Sequence, residues 1–154
     1  MSIHKIIKII SWTAVILWMA FIFNLSSQVA EQSNELSTGI TEIIVEAVER
    51  VVPQAELDIN TLNHIVRKNA HFLSYLVLGI LVLNALRRGG VQGYKSIAIT
   101  AVVCILYAVS DEIHQLFVPG REGQIKDVLI DSSGSAAGIV LYLLVSRILR
   151  RKPA

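Results

Sequence analysis

SIAITAVVCILYAVSDEIHQLF, residues 96–117, is the stretch that decides the fold of this chain. Most of it is apolar, and as a helix it is long enough to cross about 30 Å of hydrocarbon, which takes roughly 20 residues. Three more stretches, at about 6–25, 70–86 and 128–148, have the same character. With 53% hydrophobic residues in 154, the chain is too apolar for a soluble domain of this size. We predict an all-α integral membrane protein, a four-transmembrane-helix bundle forming one membrane domain over residues 1–154.

Charge predicts how the bundle is oriented. Positive residues that flank spans stay on the cytoplasmic side, and here they are Lys5, Lys8, Arg87, Arg88, Lys95, Arg147, Arg150, Arg151 and Lys152. The acidic residues all fall in the two other loops or at the helix ends next to them. Both termini are therefore expected in the cytoplasm. The net charge of +2 reflects this asymmetry and does not indicate nucleic-acid binding.

The outer loop, residues 26–66, is long enough to carry its own structure. Apolar residues recur at helical spacing from Leu36 to Val51, and glutamates occupy the other face. This pattern predicts an extracytoplasmic amphipathic helix that Pro53 ends near Val52. It either lies flat on the interface or covers a site as a lid. Asp58 or Asn60 can cap the helix that continues into the second span.

Polar residues form stripes in three spans, although such residues are costly in a bilayer unless they face protein or water. The second span has Lys68, His71 and Tyr75 on one face. The third and fourth spans and their connection supply the others: Asp111, Glu112, His114, Gln115, Arg121, Asp127 and Asp131. Gly134 and Gly138 continue the stripe of the fourth span. That small-xxx-small pair is typical of a close helix contact, and it suggests a homo-oligomer.

These residues suggest two kinds of site. His71, Asp111, Glu112 and His114 are the acid–base candidates, because paired carboxylate and imidazole groups can move protons at an ester or phosphate bond. The residues expected to bind a ligand are Lys68, Tyr75, Gln115, Arg121, Asp127 and Asp131. A divalent metal on His71, Asp111, His114 and Asp131 is a weaker alternative without a standard ligand spacing, so we assign no metal. The sequence identifies no cofactor.

Three segments carry a family resemblance: Lys68-Asn69-Ala70-His71-Phe72 with Tyr75, Ser110-Asp111-Glu112 through Pro119-Gly120-Arg121, and Asp127 to Asp131 with Gly134 and Gly138. Over roughly residues 65–140 the chain resembles the VanZ family, which consists of small bacterial membrane proteins. The founding member belongs to a glycopeptide-resistance cluster and lowers susceptibility to teicoplanin, a lipid-bearing glycopeptide. The resemblance implies that Lys68, His71, Tyr75, Asp111, Glu112, Gln115, Arg121 and Asp127 are motif positions. Asp131 departs from the Asn that the family tends to have, which adds a negative charge.

Our leading hypothesis is a protein of the bacterial cytoplasmic membrane and cell envelope. Its outer-facing pocket would engage a lipid-linked or amphiphilic anionic molecule, with an effect on lipoglycopeptides such as teicoplanin. One alternative is an outer-leaflet hydrolase or transferase acting on a lipid or wall precursor. Another is a small transporter or flippase, which has less support because the charged residues stop at the outer half of the spans.

Overall fold

The computed structural model describes residues 2–50 and 58–151, and these residues form five helices without a strand. The helices are α1 (Ile3–Ser26), α2 (Ala30–Glu49), α3 (Ile59–Arg88), α4 (Gly93–Gln115) and α5 (Ile125–Arg151). By length and composition, α1, α3, α4 and the Ile125–Leu149 part of α5 are suited to cross a membrane. The predicted all-α bundle of four apolar spans with one extra helix is therefore confirmed.

Helix α3 begins at a side-chain cap. Asp58 is the N-cap of α3: its carboxylate accepts hydrogen bonds from the Asn60 backbone N–H at 3.1 Å and from the Thr61 hydroxyl. The Thr61 bond, and then the Asn60 bond, lower the pKa of Asp58. The predicted span at 70–86 is thus the later part of one long helix. The expected end of the amphipathic helix at Val52 and Pro53 lies outside the described residues.

Helix α3 is the centre of the bundle, since it packs against each of the four other helices. Its closest neighbour is α5. A β-carbon added at Gly134 or Gly138 would fall well inside van der Waals contact of the α3 carbonyl oxygens of Phe72 and Leu76. On α3, a β-carbon at Gly79 would likewise collide with the backbone of Ser135. The two backbones touch because these positions lack side chains.

This contact bears on the predicted homo-oligomer. The Gly134 and Gly138 face of α5 is filled by α3 of the same chain. A second copy would have to displace α3 or use another surface. The oligomer therefore stays a prediction, without a contact at these two glycines to support it.

Helix α1 is held against the bundle by hydrogen bonds from two aromatic side chains. The indole N–H of Trp18 donates to the Ser74 carbonyl oxygen at 2.8 Å, and the Tyr107 hydroxyl donates to the Met19 carbonyl oxygen at 2.6 Å. In contrast, large apolar side chains such as Leu17, Leu106 and Leu144 are more than half exposed. Such an apolar exterior suits hydrocarbon, not water.

The start of α1 and the later part of α5 lie at the same end of the bundle. The Lys8 side chain comes within 3.6 Å of the place where a Gly89 β-carbon would be, next to the α3–α4 turn. At that end the Arg87 guanidinium also lies 5.3 Å from the centre of the Tyr142 ring on α5. The α1–α2 and α4–α5 connections are at the opposite end.

The α3–α5 contact leads to a first prediction. Gly138→Ala should lower the free energy of unfolding by about 1–3 kcal/mol, because the new methyl group forces the two backbones apart. The midpoint of thermal unfolding in detergent measures this. Gly39→Ala in α2 is the matched control, since nothing lies within 4 Å of its added β-carbon. Equal stability of the Gly138→Ala protein and the wild type would show that the helices do not touch here.

Candidate functional site

Two buried carboxylates face one another where α3, α4 and α5 meet. Asp111 on α4 is 2% exposed and Asp131 on α5 is 0% exposed. None of their four oxygens has a hydrogen-bond partner among the described residues. The Nδ1 atom of His71 on α3 lies 3.6 Å from Oδ1 of Asp131. One ligand atom from each of the three residues lies within 4.8 Å of the other two. We call these three residues the carboxylate–histidine cluster.

Tyr75 lies one helical turn after His71 and borders this cluster. Its side chain is fully buried, and its hydroxyl makes no hydrogen bond within the described ranges. The Tyr75 ring packs beside that of Tyr107, with 6.1 Å between the ring centres. A further unsatisfied polar atom is therefore buried beside the carboxylates.

One turn closer to the end of the bundle that carries the α1–α2 and α4–α5 connections, the polar groups are paired. Lys68 on α3 makes an ion pair with Asp127 on α5, and both side chains are 18% exposed. The Glu112 carboxylate accepts the Gln124 backbone N–H at 2.8 Å and the Gln115 side-chain amide at 3.3 Å. These contacts link the first turn of α5, and the residue before it, to α3 and α4.

Arg121 ties the α4–α5 connection to the end of α1. Its Nε and Nη2 atoms donate to the carbonyl oxygens of Gln28 at 3.0 Å and Leu25 at 3.4 Å, and its Nη1 atom donates to Gln115 at 3.3 Å. Burial, and to a lesser degree the charge of Arg67, lowers the pKa of Arg121. The guanidinium nevertheless stays protonated at neutral pH, because its ordinary pKa is so high.

His114 does not join the carboxylates, although its sequence stripe suggested an acid–base pair with Asp111. Its Nε2 atom lies 3.1 Å from the Ser27 hydroxyl, and its ring centre lies 4.5 Å from that of Phe23 on α1. The histidine that the structure brings to the carboxylates is His71. Of the four residues weighed as a weaker metal-binding alternative, three come together, His71, Asp111 and Asp131.

Two cavities meet beside the cluster. The larger, of about 370 Å³, lies between α1, α2 and α3 and has mainly apolar walls, including Ile22, Leu25, Leu36, Ile40, Val66 and Ala70. The smaller, of about 190 Å³, is polar and is lined by Arg67, Lys68, His71, Gln115, Gly120, Arg121, Glu122, Gln124 and Asp127. Arg67, His71 and Arg121 line both. The two spaces are therefore adjacent parts of one site.

Arg67 is a site residue that the sequence reasoning missed. It precedes the polar stripe by one residue, yet it lies four positions before His71, so both residues share a face of α3. That spacing was the available signal. Within the part of the chain that the structure describes, Arg67 makes no ion pair.

The fold and the site define a small multi-pass membrane protein with a buried polar cluster at one end of its helical bundle. The chain belongs to the VanZ family: the family described as VanZ/LLP1 matches residues 11–146. This match begins in α1 and ends in α5, so it reaches well beyond the motif segments at 65–140. No curated protein and no solved structure matches the chain.

The three hydrogen bonds of Arg121 generate a second prediction. Arg121→Lys keeps the charge, but an ammonium group cannot reproduce the guanidinium fork. Unsatisfied carbonyl groups should then lower the free energy of unfolding by about 1–3 kcal/mol. Thermal unfolding in detergent measures the change, with Arg50→Lys at an exposed ion pair as the control. If both variants unfold at the wild-type temperature, Arg121 does not tie the two connections together.

Proposed function

We propose that this protein is a cell-envelope component that binds an amphiphilic anionic molecule in the two adjacent cavities. The observation that carries the proposal is the shared wall of Arg67, His71 and Arg121 between an apolar and a polar space. An anionic headgroup would lie in the polar cavity and an alkyl chain in the apolar one. The site thus matches the two halves of one ligand.

Charge favours an anion in the polar cavity. The Lys68 charge is already offset by Asp127, so that pair is neutral. Arg67 and Arg121 are the other cations of the lining, and Glu122 is its other carboxylate. Guanidinium groups bind phosphate and carboxylate oxygens with two parallel hydrogen bonds. Arg67 has no ion-pair partner in the described ranges, so it is available for such a contact.

The apolar cavity favours an alkyl chain. Its volume of about 370 Å³ lies within the size range of small-molecule sites. Ser33, Leu36, Ser37 and Ile40 of α2 form one wall, opposite α1 and α3. Of the two roles considered for the amphipathic helix, this placement supports the lid, because α2 covers a cavity that the spans alone would leave open.

We further propose that the site faces away from the cytoplasm in a bacterial cytoplasmic membrane. The basic residues of the α3–α4 turn and of both chain ends support this orientation through the positive-inside rule. Both termini are then cytoplasmic, and α2 lies on the outer surface.

A labelling experiment tests the orientation. In a Cys104→Ala background without any other cysteine, Glu35→Cys in α2 should react with a membrane-impermeant maleimide in intact cells. Gln92→Cys in the α3–α4 turn should react only after the cells are permeabilised. Labelling of Gln92→Cys, but not of Glu35→Cys, in intact cells would establish the reverse topology.

Ligand binding provides a more direct prediction. The purified protein should bind dioctanoyl phosphatidic acid more tightly than dioctanoyl phosphatidylcholine, which carries no net charge. Arg67→Met should weaken phosphatidic acid binding by at least roughly tenfold, since a charge-assisted hydrogen bond contributes about 1.5–3 kcal/mol. Native mass spectrometry in detergent measures both. Lys126→Met is the matched control, because Lys126 is an exposed cation at the same end that does not line either cavity.

Equal binding of the two lipids, or equal loss in the Arg67→Met and Lys126→Met variants, would contradict an anion site.

The susceptibility of cells to an antibiotic offers a second measurement. Teicoplanin is named by the family resemblance and is itself a lipid-bearing molecule. Expression of the wild type should lower teicoplanin susceptibility, and expression of Arg67→Met should do so less.

An enzyme is the second candidate function, and the position of His71 favours it. This residue lines both cavities and lies 3.6 Å from the buried Asp131 carboxylate. An imidazole in the wall of both cavities can act as a general base towards a headgroup ester or phosphate bond. The masses of the lipids recovered from the binding experiment separate the functions. A product formed by the wild type and not by His71→Gln identifies a hydrolase or transferase, and unchanged lipids identify a binding protein.

No observation on the described residues favours the transporter.

A further inference from the structure

We propose that His71, Asp111 and Asp131 hold a divalent metal ion, with the Tyr75 hydroxyl beside it. The metal site does not rest on the lipid ligand proposed above, because its residues lie at the inner edge of the two cavities and only His71 lines them. It would bind a cation, whereas the outer pocket would bind an anion.

The first argument is the absence of partners for two buried carboxylates. Asp111 and Asp131 are 2% and 0% exposed, and all four oxygens lack a hydrogen-bond partner among the described residues. Burying ionised carboxylates in this way costs several kcal/mol each. The imidazole of His71 lies beside Asp131, but the 3.6 Å between its Nδ1 atom and Oδ1 of Asp131 is beyond hydrogen-bond distance. One divalent ion would neutralise both charges and satisfy two of the oxygens directly.

The second argument is Tyr75, which is a separate side chain on α3. Its side chain is fully buried, and its hydroxyl has no hydrogen-bond partner in the described part of the chain, one helical turn after His71. A hydroxyl in this place can donate a hydrogen bond to a metal-bound carboxylate or to a metal-bound water. Polar groups around metal ligands commonly orient them in this way. Four carboxylate oxygens and one hydroxyl oxygen, all buried, are therefore left without a hydrogen-bond partner among the described residues.

The distances and the chemistry of these groups narrow the choice of ion. Ligands about 2.1 Å from a tetrahedral ion are about 3.4 Å apart, and the His71–Asp131 separation of 3.6 Å is close to this value. All three ligand atoms lie within 4.8 Å of one another. A change of the aspartate side-chain torsions that moves the carboxylate oxygens by roughly an ångström would bring all three atoms to metal-binding distance. One imidazole with two carboxylates is typical of zinc, manganese or iron.

The test starts with the intact protein. We expect the full chain, purified in detergent with any affinity tag removed, to contain about one equivalent of zinc, manganese or iron by elemental mass spectrometry. Removal of the metal with a chelator should lower the Tm by at least about 4 °C, and Zn²⁺ or Mn²⁺ should restore it. Metal below a tenth of an equivalent, together with a Tm that no added divalent ion changes, would overturn the proposal.

Variants then assign the ligands. His71→Gln and Asp131→Asn should each reduce metal content at least tenfold. Glu112→Gln is the matched control: Glu112 is also a buried carboxylate of α4, but its two oxygens already accept hydrogen bonds from Gln115 and Gln124, so metal content should stay the same. Equal metal loss in Asp131→Asn and Glu112→Gln would contradict the assignment. If a variant does not fold, the chelation and restoration of the wild type still decide whether the site exists.

Discussion

The close approach of α3 and α5 sets the distances on which the rest of the structure depends. Because Gly79, Gly134 and Gly138 carry no side chains, the two backbones touch in the middle of the bundle. Further along the same stripe of α5, Asp131 and Asp127 then meet His71 and Lys68 of α3. One face of α5 therefore carries glycines where it touches α3 and aspartates where it contacts the polar side chains of α3. The geometry of the polar end follows from the packing of the apolar middle.

Features that depend on about twenty consecutive residues could be predicted from the sequence. The four spans follow from apolar length, and α2 follows from the spacing of its apolar side chains. The cap at Asp58 needs only the next few residues. The polar stripes on α3 and α5 were also visible, because residues three or four apart share a helix face. Local periodicity thus determines the elements and most of the polar end, including Asp111 and Asp131.

Features that depend on where one helix meets another could not be predicted. Positions three apart on a helix differ by about 60° around its axis, so Asp111 can face α3 and α5 while His114 faces α1. The different direction of His114 becomes clear only from its contacts with Phe23 and Ser27 at the end of α1. The spacing of Arg67 and His71 was visible in the sequence, but the cavities that Arg67 lines also need α2 and the loop of Arg121, which the sequence of α3 does not show. The apolar cavity has walls from three helices and no signal in any one of them.

The hydrogen bonds of Arg121 also determine when, during synthesis of the chain, the end of α1 can be joined to the α4–α5 connection. Arg121 reaches Gln28 and Leu25 across 93 and 96 residues of sequence, and His114 reaches Ser27 across 87. When the first helix and the amphipathic helix have left the ribosome, the groups that hold them are still untranslated. The binding site is consequently closed only after α4 and the following loop have been made. Until then the end of the first helix lacks its contacts with Arg121 and His114, so this end of the bundle is completed late in synthesis.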